Sequence, residues 1–184
     1  MSINATIIES SREDLVEEAE RLGFLYEQKA HYCPQAALAA IMNVLHFTDD
    51  TLFRSSFGFH GGAGDTNDGT CGALVAGTLA VSYFFGRTRS EFDLKIQNSQ
   101  ATGVVKKLYD LFTEEYGGVR CRDVHRCVFD REFDFWNDDD MKAFLDMGAH
   151  EDRCPSVVGK GAGLAVGLIY DEFRRQDRIK RFER

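Results

Sequence analysis

The sequence predicts an all-α fold, a compact multi-helix bundle in which a glycine-rich loop precedes a central buried helix, as one domain over residues 1–184. Three observations carry that expectation. Apolar residues recur at helical spacing: Leu15, Ala19, Leu22 and Tyr26 near the start, and Val105, Leu108, Tyr109, Phe112 and Tyr116 past the middle. Runs with strand character are few and short. Finally, Phe57 to Gly86 joins a loop crowded with Gly58, Gly61, Gly62, Gly64 and Gly69 to an apolar run long enough for a helix and too short to span a membrane.

Residues 3–8 form a short apolar segment suited to an edge strand or a loose arm. Ser11 to Asp14 reads as an N-cap with acidic first-turn residues and opens a helix over about 11–31. Pro34 suits the first position of the next helix, where its missing N–H would be unpaired anyway, and Cys33 becomes the N-cap. That helix, QAALAAIMNVLHF, is apolar on most sides and is expected to be buried. Asp49 or Asp50 caps a short third helix through Leu52 and Phe53. After the central helix, Gly86 to Arg89 marks a stop and Ser90 a cap, and the helix from Glu91 to Tyr116 is expected to break near Gly103 and to end at Gly117-Gly118.

Cys121 then opens a short helical piece, RDVHRCVF. The acidic and aromatic stretch Asp130 to Asp140 reads as a loop whose end, Asn137 to Asp140, caps the helix MKAFLDMG. The last helix runs from Pro155 towards Arg181. Its glycines, Gly159, Gly161, Gly163 and Gly167, would each cost about 1 kcal/mol against alanine in an exposed helix, so they are expected to mark close packing.

Composition narrows the function classes. A net charge of −8 gives no general basic field for nucleic acid, and the locally basic tail at Arg174, Arg175, Arg178, Lys180, Arg181 and Arg184 also carries Asp171, Glu172, Asp177 and Glu183. The N-terminus has no basic and apolar leader pattern, and no segment approaches the roughly 18 apolar residues of a membrane span. The chain reads as cytoplasmic, so its five cysteines suggest metal or redox chemistry rather than a disulfide framework.

Four of those cysteines stand at separate helix starts: Cys33 before Pro34, Cys71 before Gly72, Cys121 after Gly117-Gly118, and Cys154 before Pro155. Helix N-termini favour anionic thiolates, so the four are expected to have lowered pKa values and to be able to converge, as tetrathiolate ligation of an iron–sulfur cluster or zinc requires. Their separations of 38, 50 and 33 residues are far from CxxC spacing. Spacing alone therefore leaves open the reading of four buried, inert thiols. The glycine loop is not a phosphate cradle of known pattern, since neither GK[ST] nor GxGxxG occurs.

The chain resembles the redox-active protein family named for its C…GCAxxG…C…C cysteine pattern, whose domain also forms the iron–sulfur part of split-Soret cytochromes. The resemblance rests on Cys33 in YCPQAALAAI, the central segment FGFHGGAGDTNDGTCGALVAGTLAVSYFFGR, Cys121 in GGVRCRDV, and Cys154 before the last helix, over roughly residues 24–172. The motif glycine falls where this chain has Ala76, with Gly77 one place later, and Asp65 to Asn67 and Asp68 form a polar insertion in the loop. The resemblance implies a redox protein whose Cys33, Cys71, Cys121 and Cys154 bind an iron–sulfur cluster or act as redox thiols.

The leading expectation is thus an electron-transfer protein with an iron–sulfur cluster, served by a redox partner protein, with glycine-loop amides bonded to the cluster. Two alternatives stay open: a metal-free thiol–disulfide protein, and a structural zinc module that binds a partner. Cys127 lies outside the pattern and is read as a buried bystander. His125 and His150, four residues from Cys121 and Cys154, read as ordinary surface or core histidines, and His60 as a donor to a cluster sulfur. Without CxxCH, covalent haem is not encoded. The alanine and glycine faces would also suit a symmetric homodimer.

Overall fold

A computed structural model describes residue 7 and residues 9–182, with side chains described as far as residue 178. Among the described residues the fold is all-α, with nine α-helices and no strand. The arm expected over residues 3–8 lies outside them except for Ile7, which is buried.

The chain runs through α1 (Arg12–Ala30), α2 (Cys33–Val44) and α3 (Asp50–Ser56), then a 3-10 turn (Phe57–Phe59) and the glycine loop. Next come α4 (Gly72–Phe85), α5 (Arg89–Asp93), α6 (Ser99–Tyr116), α7 (Cys121–Phe129) and α8 (Asp138–Asp146). A π-helical turn (Ala149–Arg153) leads without a break into α9 (Cys154–Phe182). Helix α4 is the centre: it packs on α2, α3, α6 and α9, and Ala73, Ala76, Ala80 and Val81 are fully buried. The long α9 lies along α1 and also meets α2, α4 and α6.

The glycines of α9 do mark a close approach. A β-carbon at position 159 would stand 2.5 Å from the Glu20 carbonyl oxygen, and one at position 23 would stand 3.0 Å from the Gly159 Cα, so α1 and α9 touch backbone to backbone. Larger residues would hold the two helices apart and open the core between them.

Most helix starts follow the cap chemistry in the sequence. Ser11 accepts from the Asp14 N–H at 3.3 Å, Asp49 from Leu52 at 2.8 Å, and Asn137 from Asp139 and Asp140. Two expectations are corrected. Thr88, not Ser90, caps α5, because its hydroxyl and Glu91 form a reciprocal capping box. The break between α5 and α6 falls at residues 94–98, not at Gly103, because the Asn98 side chain accepts from the Ala101 N–H and restarts the helix there. Gly103 sits inside α6 with open space at its face.

Beside the main core lies a small aromatic one, Phe129, Phe133, Phe144 and Ala149, joined by Phe135 and Met141. It caps the end of the bundle at which the starts of α2, α7 and α9 gather around one cavity.

Candidate functional site

Two loops that precede cysteines are laced together. The Cys71 N–H donates to the Val119 carbonyl at 2.8 Å, the Cys121 N–H to Gly69 at 3.0 Å, and the Arg122 N–H to Asn67 at 3.0 Å, around a single antiparallel bridge between Thr70 and Arg120. The glycine loop can reach this pairing because Gly61, Gly62 and Gly64 take positive φ. At Gly62 the approach is also tight, since a β-carbon would stand 2.9 Å from the Cys121 Cβ. Other loop N–H groups close on the loop itself: Asn67 donates to Gly61, Gly69 to Gly62, Gly64 to Gly58 and Asp65 to His60. Those four amides therefore already have carbonyl partners within the loop, and Gly61 lines the cavity.

Cys33 reaches the site by a different device. His31 and Tyr32 both adopt positive φ, 59° and 58°, in the turn between α1 and α2. Such conformations cost of order 1–3 kcal/mol each for non-glycine residues and concentrate at functional sites. Tyr32, rather than Cys33, is the N-cap of α2, so Cys33 and Pro34 are its first two residues. Cys71 is the N-cap of α4, Cys121 the first residue of α7, and Cys154 the first of α9 after the π-turn.

Cys33, Cys121 and Cys154 line one cavity of about 290 Å³. Cys71 is buried behind them, and its neighbour Gly72 lies against the Cys33 Sγ. All four expected thiols are therefore neighbours. Their protonation differs from the expectation. Burial pushes the Cys33, Cys121 and Cys154 thiols well above their ordinary range and Cys71 up to about 11, and the charges of the neighbouring thiols add to the rise at Cys33 and Cys121. Only at Cys71 do first-turn amides, those of Ala73 and Leu74, oppose it. The helix N-terminus lowers a thiol pKa where solvent is near, but here desolvation is the larger effect.

The rest of the lining was mostly invisible in the sequence. Glu27, near the end of α1, is only 2% exposed, and its Oε2 has no hydrogen-bond partner. One signal could have found it: Ala19, Gly23 and Glu27 share the buried face of α1 at four-residue steps, and a carboxylate ending a small-residue stripe is out of place. His150 Nδ1 stands 3.5 Å from Glu27 Oε1, also without a hydrogen bond. His125 has its Nε2 3.6 Å from the Cys121 Sγ and its ring enclosed by Phe129, Phe133, Phe135 and Phe144 at 5.4–5.6 Å. Burial lowers its pKa to about 4, so the ring is neutral at neutral pH. His125 and His150 are thus both part of the cavity wall rather than ordinary histidines.

His60 lines the cavity too, with Nδ1 2.9 Å from Asp65 Oδ1 and its ring against Tyr32 and Phe57. Asn67, from the same polar insertion, donates from Nδ2 to the Phe133 carbonyl at 2.7 Å and ties the glycine loop to the aromatic loop. Cys127 is corrected from buried to exposed. Six residues after Cys121, it is rotated by roughly 240° around the helix, away from the cavity.

Three thiols lining one cavity with a fourth buried beside them, and a buried carboxylate oxygen that lacks a donor, fit a positively charged inorganic group. No set of three or more His, Cys, Asp or Glu side chains among the described residues is arranged to hold a single metal ion. A lone tetrahedral zinc, with Zn–S bonds of about 2.3 Å, would need its sulfurs about 3.8 Å apart.

The family described as "Putative redox-active protein (C_GCAxxG_C_C)" matches residues 31–168, about three quarters of the chain. The chain belongs to this family. The matched segment contains all five cysteines, the four at helix starts among them. Within α4, Ala76 is fully buried and Gly77 makes a close contact: a β-carbon there would stand 2.8 Å from the Leu108 Cδ2 and 3.0 Å from the Ala165 Cβ. Neither a curated protein nor a solved structure matches the chain. No helix among the described residues is long and apolar enough to cross a membrane.

Proposed function

We propose that the chain is an electron-transfer protein that holds an iron–sulfur cluster through Cys33, Cys71, Cys121 and Cys154 and exchanges electrons with a redox partner protein. The observation that carries this reading is the meeting of cysteines from four different helix starts: Cys33, Cys121 and Cys154 line one cavity, and Cys71 is buried next to Gly72, which lies against the Cys33 Sγ. Four inert core thiols would have no reason to share a space lined by an unpaired carboxylate.

When bound, such a cluster takes up and gives back an electron. The protein's own residues would hold and shield it. The four sulfurs anchor it from four elements that pack on the central core, so the site is as rigid as the bundle. The Ala73 and Leu74 amides face the Cys71 sulfur, which favours its thiolate form. His125 and the phenylalanines around it exclude water on one side.

That no three His, Cys, Asp or Glu side chains among the described residues are arranged for a single ion favours a group larger than one zinc. Thiol–disulfide cycling is less well supported, because attack on a disulfide needs a thiolate, and burial opposes thiolate formation at all four positions.

Anaerobic purification, followed by a visible spectrum and quantitation of iron, zinc and acid-labile sulfide on one sample, tests the reading. Broad visible absorption with iron and sulfide, lost in Cys71→Ser, is expected. Colour and iron unchanged in Cys71→Ser would overturn it. A colourless protein with one zinc would favour the structural module, and a metal-free protein that reversibly loses two thiols would favour the dithiol protein.

A further inference from the structure

We propose that Glu27 and His150 are further ligands of the same centre, so that its metal is held by oxygen and nitrogen as well as by sulfur. This rests on the iron–sulfur reading above and extends it to two residues outside the cysteine pattern. Glu27 also precedes the matched segment, residues 31–168.

The first observation is a buried carboxylate with one oxygen left without a partner. Glu27 is 2% exposed, and its Oε2 has no hydrogen-bond partner. A buried carboxylate costs several kcal/mol unless it is paired or bound to a metal. His150 Nδ1 stands 3.5 Å from Oε1, and that nitrogen has no hydrogen bond either. Two potential ligand atoms therefore stand side by side in the cavity wall.

The spacing of those atoms is the second observation. Ligands of a tetrahedral first-row metal with N and O bonds of about 2.1 Å stand about 3.4 Å apart. The Glu27 and His150 pair is already at that separation. Both residues line the same cavity as Cys33, Cys121 and Cys154, so the pair faces the space that the thiols share.

Third, His150 is held in place by the local fold. It lies on the π-helical turn Ala149–Arg153, entered through Gly148 at φ 76° and leading directly to Cys154. π-Helical turns are rare and occur mostly at functional sites. The ring is fixed edge-on against His31, with centroids 4.0 Å apart, and against Phe144 at 5.6 Å. Gln28 donates to the Glu151 carbonyl at 2.5 Å, which ties this turn to the Glu27 end of α1. Electrostatics agree, since the Glu27 charge acts on Cys33, Cys71 and Cys154 and adds a fifth negative group to the four thiolates. More positive charge at the centre offsets it.

The full chain, reconstituted anaerobically with ferrous iron and sulfide, is compared as wild type, Glu27→Gln, His150→Gln and Cys71→Ser. Both new variants are expected to keep wild-type helicity by circular dichroism and to release iron to a chelator at least about tenfold faster. Pulsed EPR of the reduced wild type is expected to show a ¹⁴N coupling that His150→Gln removes. Should Glu27→Gln fail to fold, His150→Gln decides alone, because that side chain is partly exposed, at 28%, and its loss leaves the bundle intact. Wild-type release rates in the folded variants, with no nitrogen coupling lost, overturn the proposal. If that happens while Cys71→Ser loses the cluster, only the mixed ligation fails. If Cys71→Ser keeps the wild-type spectrum, the cluster reading itself fails.

Discussion

Gly72 presses on the sulfur of Cys33: a β-carbon at position 72 would stand 2.5 Å from the Cys33 Sγ and 2.6 Å from the Pro34 Cδ. Two cysteines from different helices are neighbours because the residue after one of them has no side chain. Gly72→Ala must push the start of α2 away, and Pro34 leaves that backbone little room to adjust. It is expected to cost about 1–3 kcal/mol, as overpacking does, and to lower metal content with it. Urea unfolding and metal analysis check this, and an unchanged midpoint would show that the contact is not tight.

Asn67 joins two loops. It is 4% exposed, holds φ at 60°, and donates to the Phe133 carbonyl. Asn67→Ala removes a buried hydrogen bond and places alanine in a left-handed conformation that asparagine tolerates better. The expected loss is about 2–3 kcal/mol, with faster amide exchange over residues 130–137. Native-state exchange that stays slow there would mean the aromatic loop is held by its own packing alone.

Cys127 is the exposed thiol of the five. In the metal-free protein at mild alkaline pH, iodoacetamide is expected to modify it first, by at least about tenfold over the enclosed thiols, whose deprotonation burial resists. Peptide mapping identifies the site. Cys127→Ser should leave any bound metal unchanged, and early labelling of Cys33 or Cys121 would contradict an enclosed cavity.

His125 makes the fold acid-sensitive. Its pKa drops from 6.5 to about 4 because charging the ring would place a cation among phenylalanines. The folded state then binds this proton more weakly than the unfolded chain does. The stabilising contribution is therefore complete above pH 6.5 and is lost as pH falls from 6.5 to about 4, on the order of 3 kcal/mol in all. His125→Phe is expected to flatten that part of the stability curve. Urea midpoints at several pH values between 7 and 4 check it, and parallel curves for the two proteins would rule out a neutral buried ring.

The helices and the four cysteine positions were legible because both depend on local chemistry. Ser11, Asp49 and Asn137 cap where a side-chain oxygen precedes an apolar period, and each site cysteine stands within a residue of a helix start. Where two local signals competed the reading slipped. Ser90 and Thr88 can both cap, and the reciprocal Glu91 bond decides for Thr88. Gly103 looked like a break, yet Asn98 restarts the helix before it.

By itself, then, the sequence determined an all-α chain, a positive-φ glycine loop, and four thiols at helix N-termini, since backbone torsions and caps act over a few residues. Only the tertiary structure decided that burial raises the pKa values of those thiols, that Cys127 faces out, and that Glu27 and His150 meet in the wall of a shared cavity. The helix dipole belongs to one helix, whereas desolvation depends on everything packed around a group. Glu27 and His150, 123 residues apart in the chain, meet only because α1 packs against the turn that leads into α9.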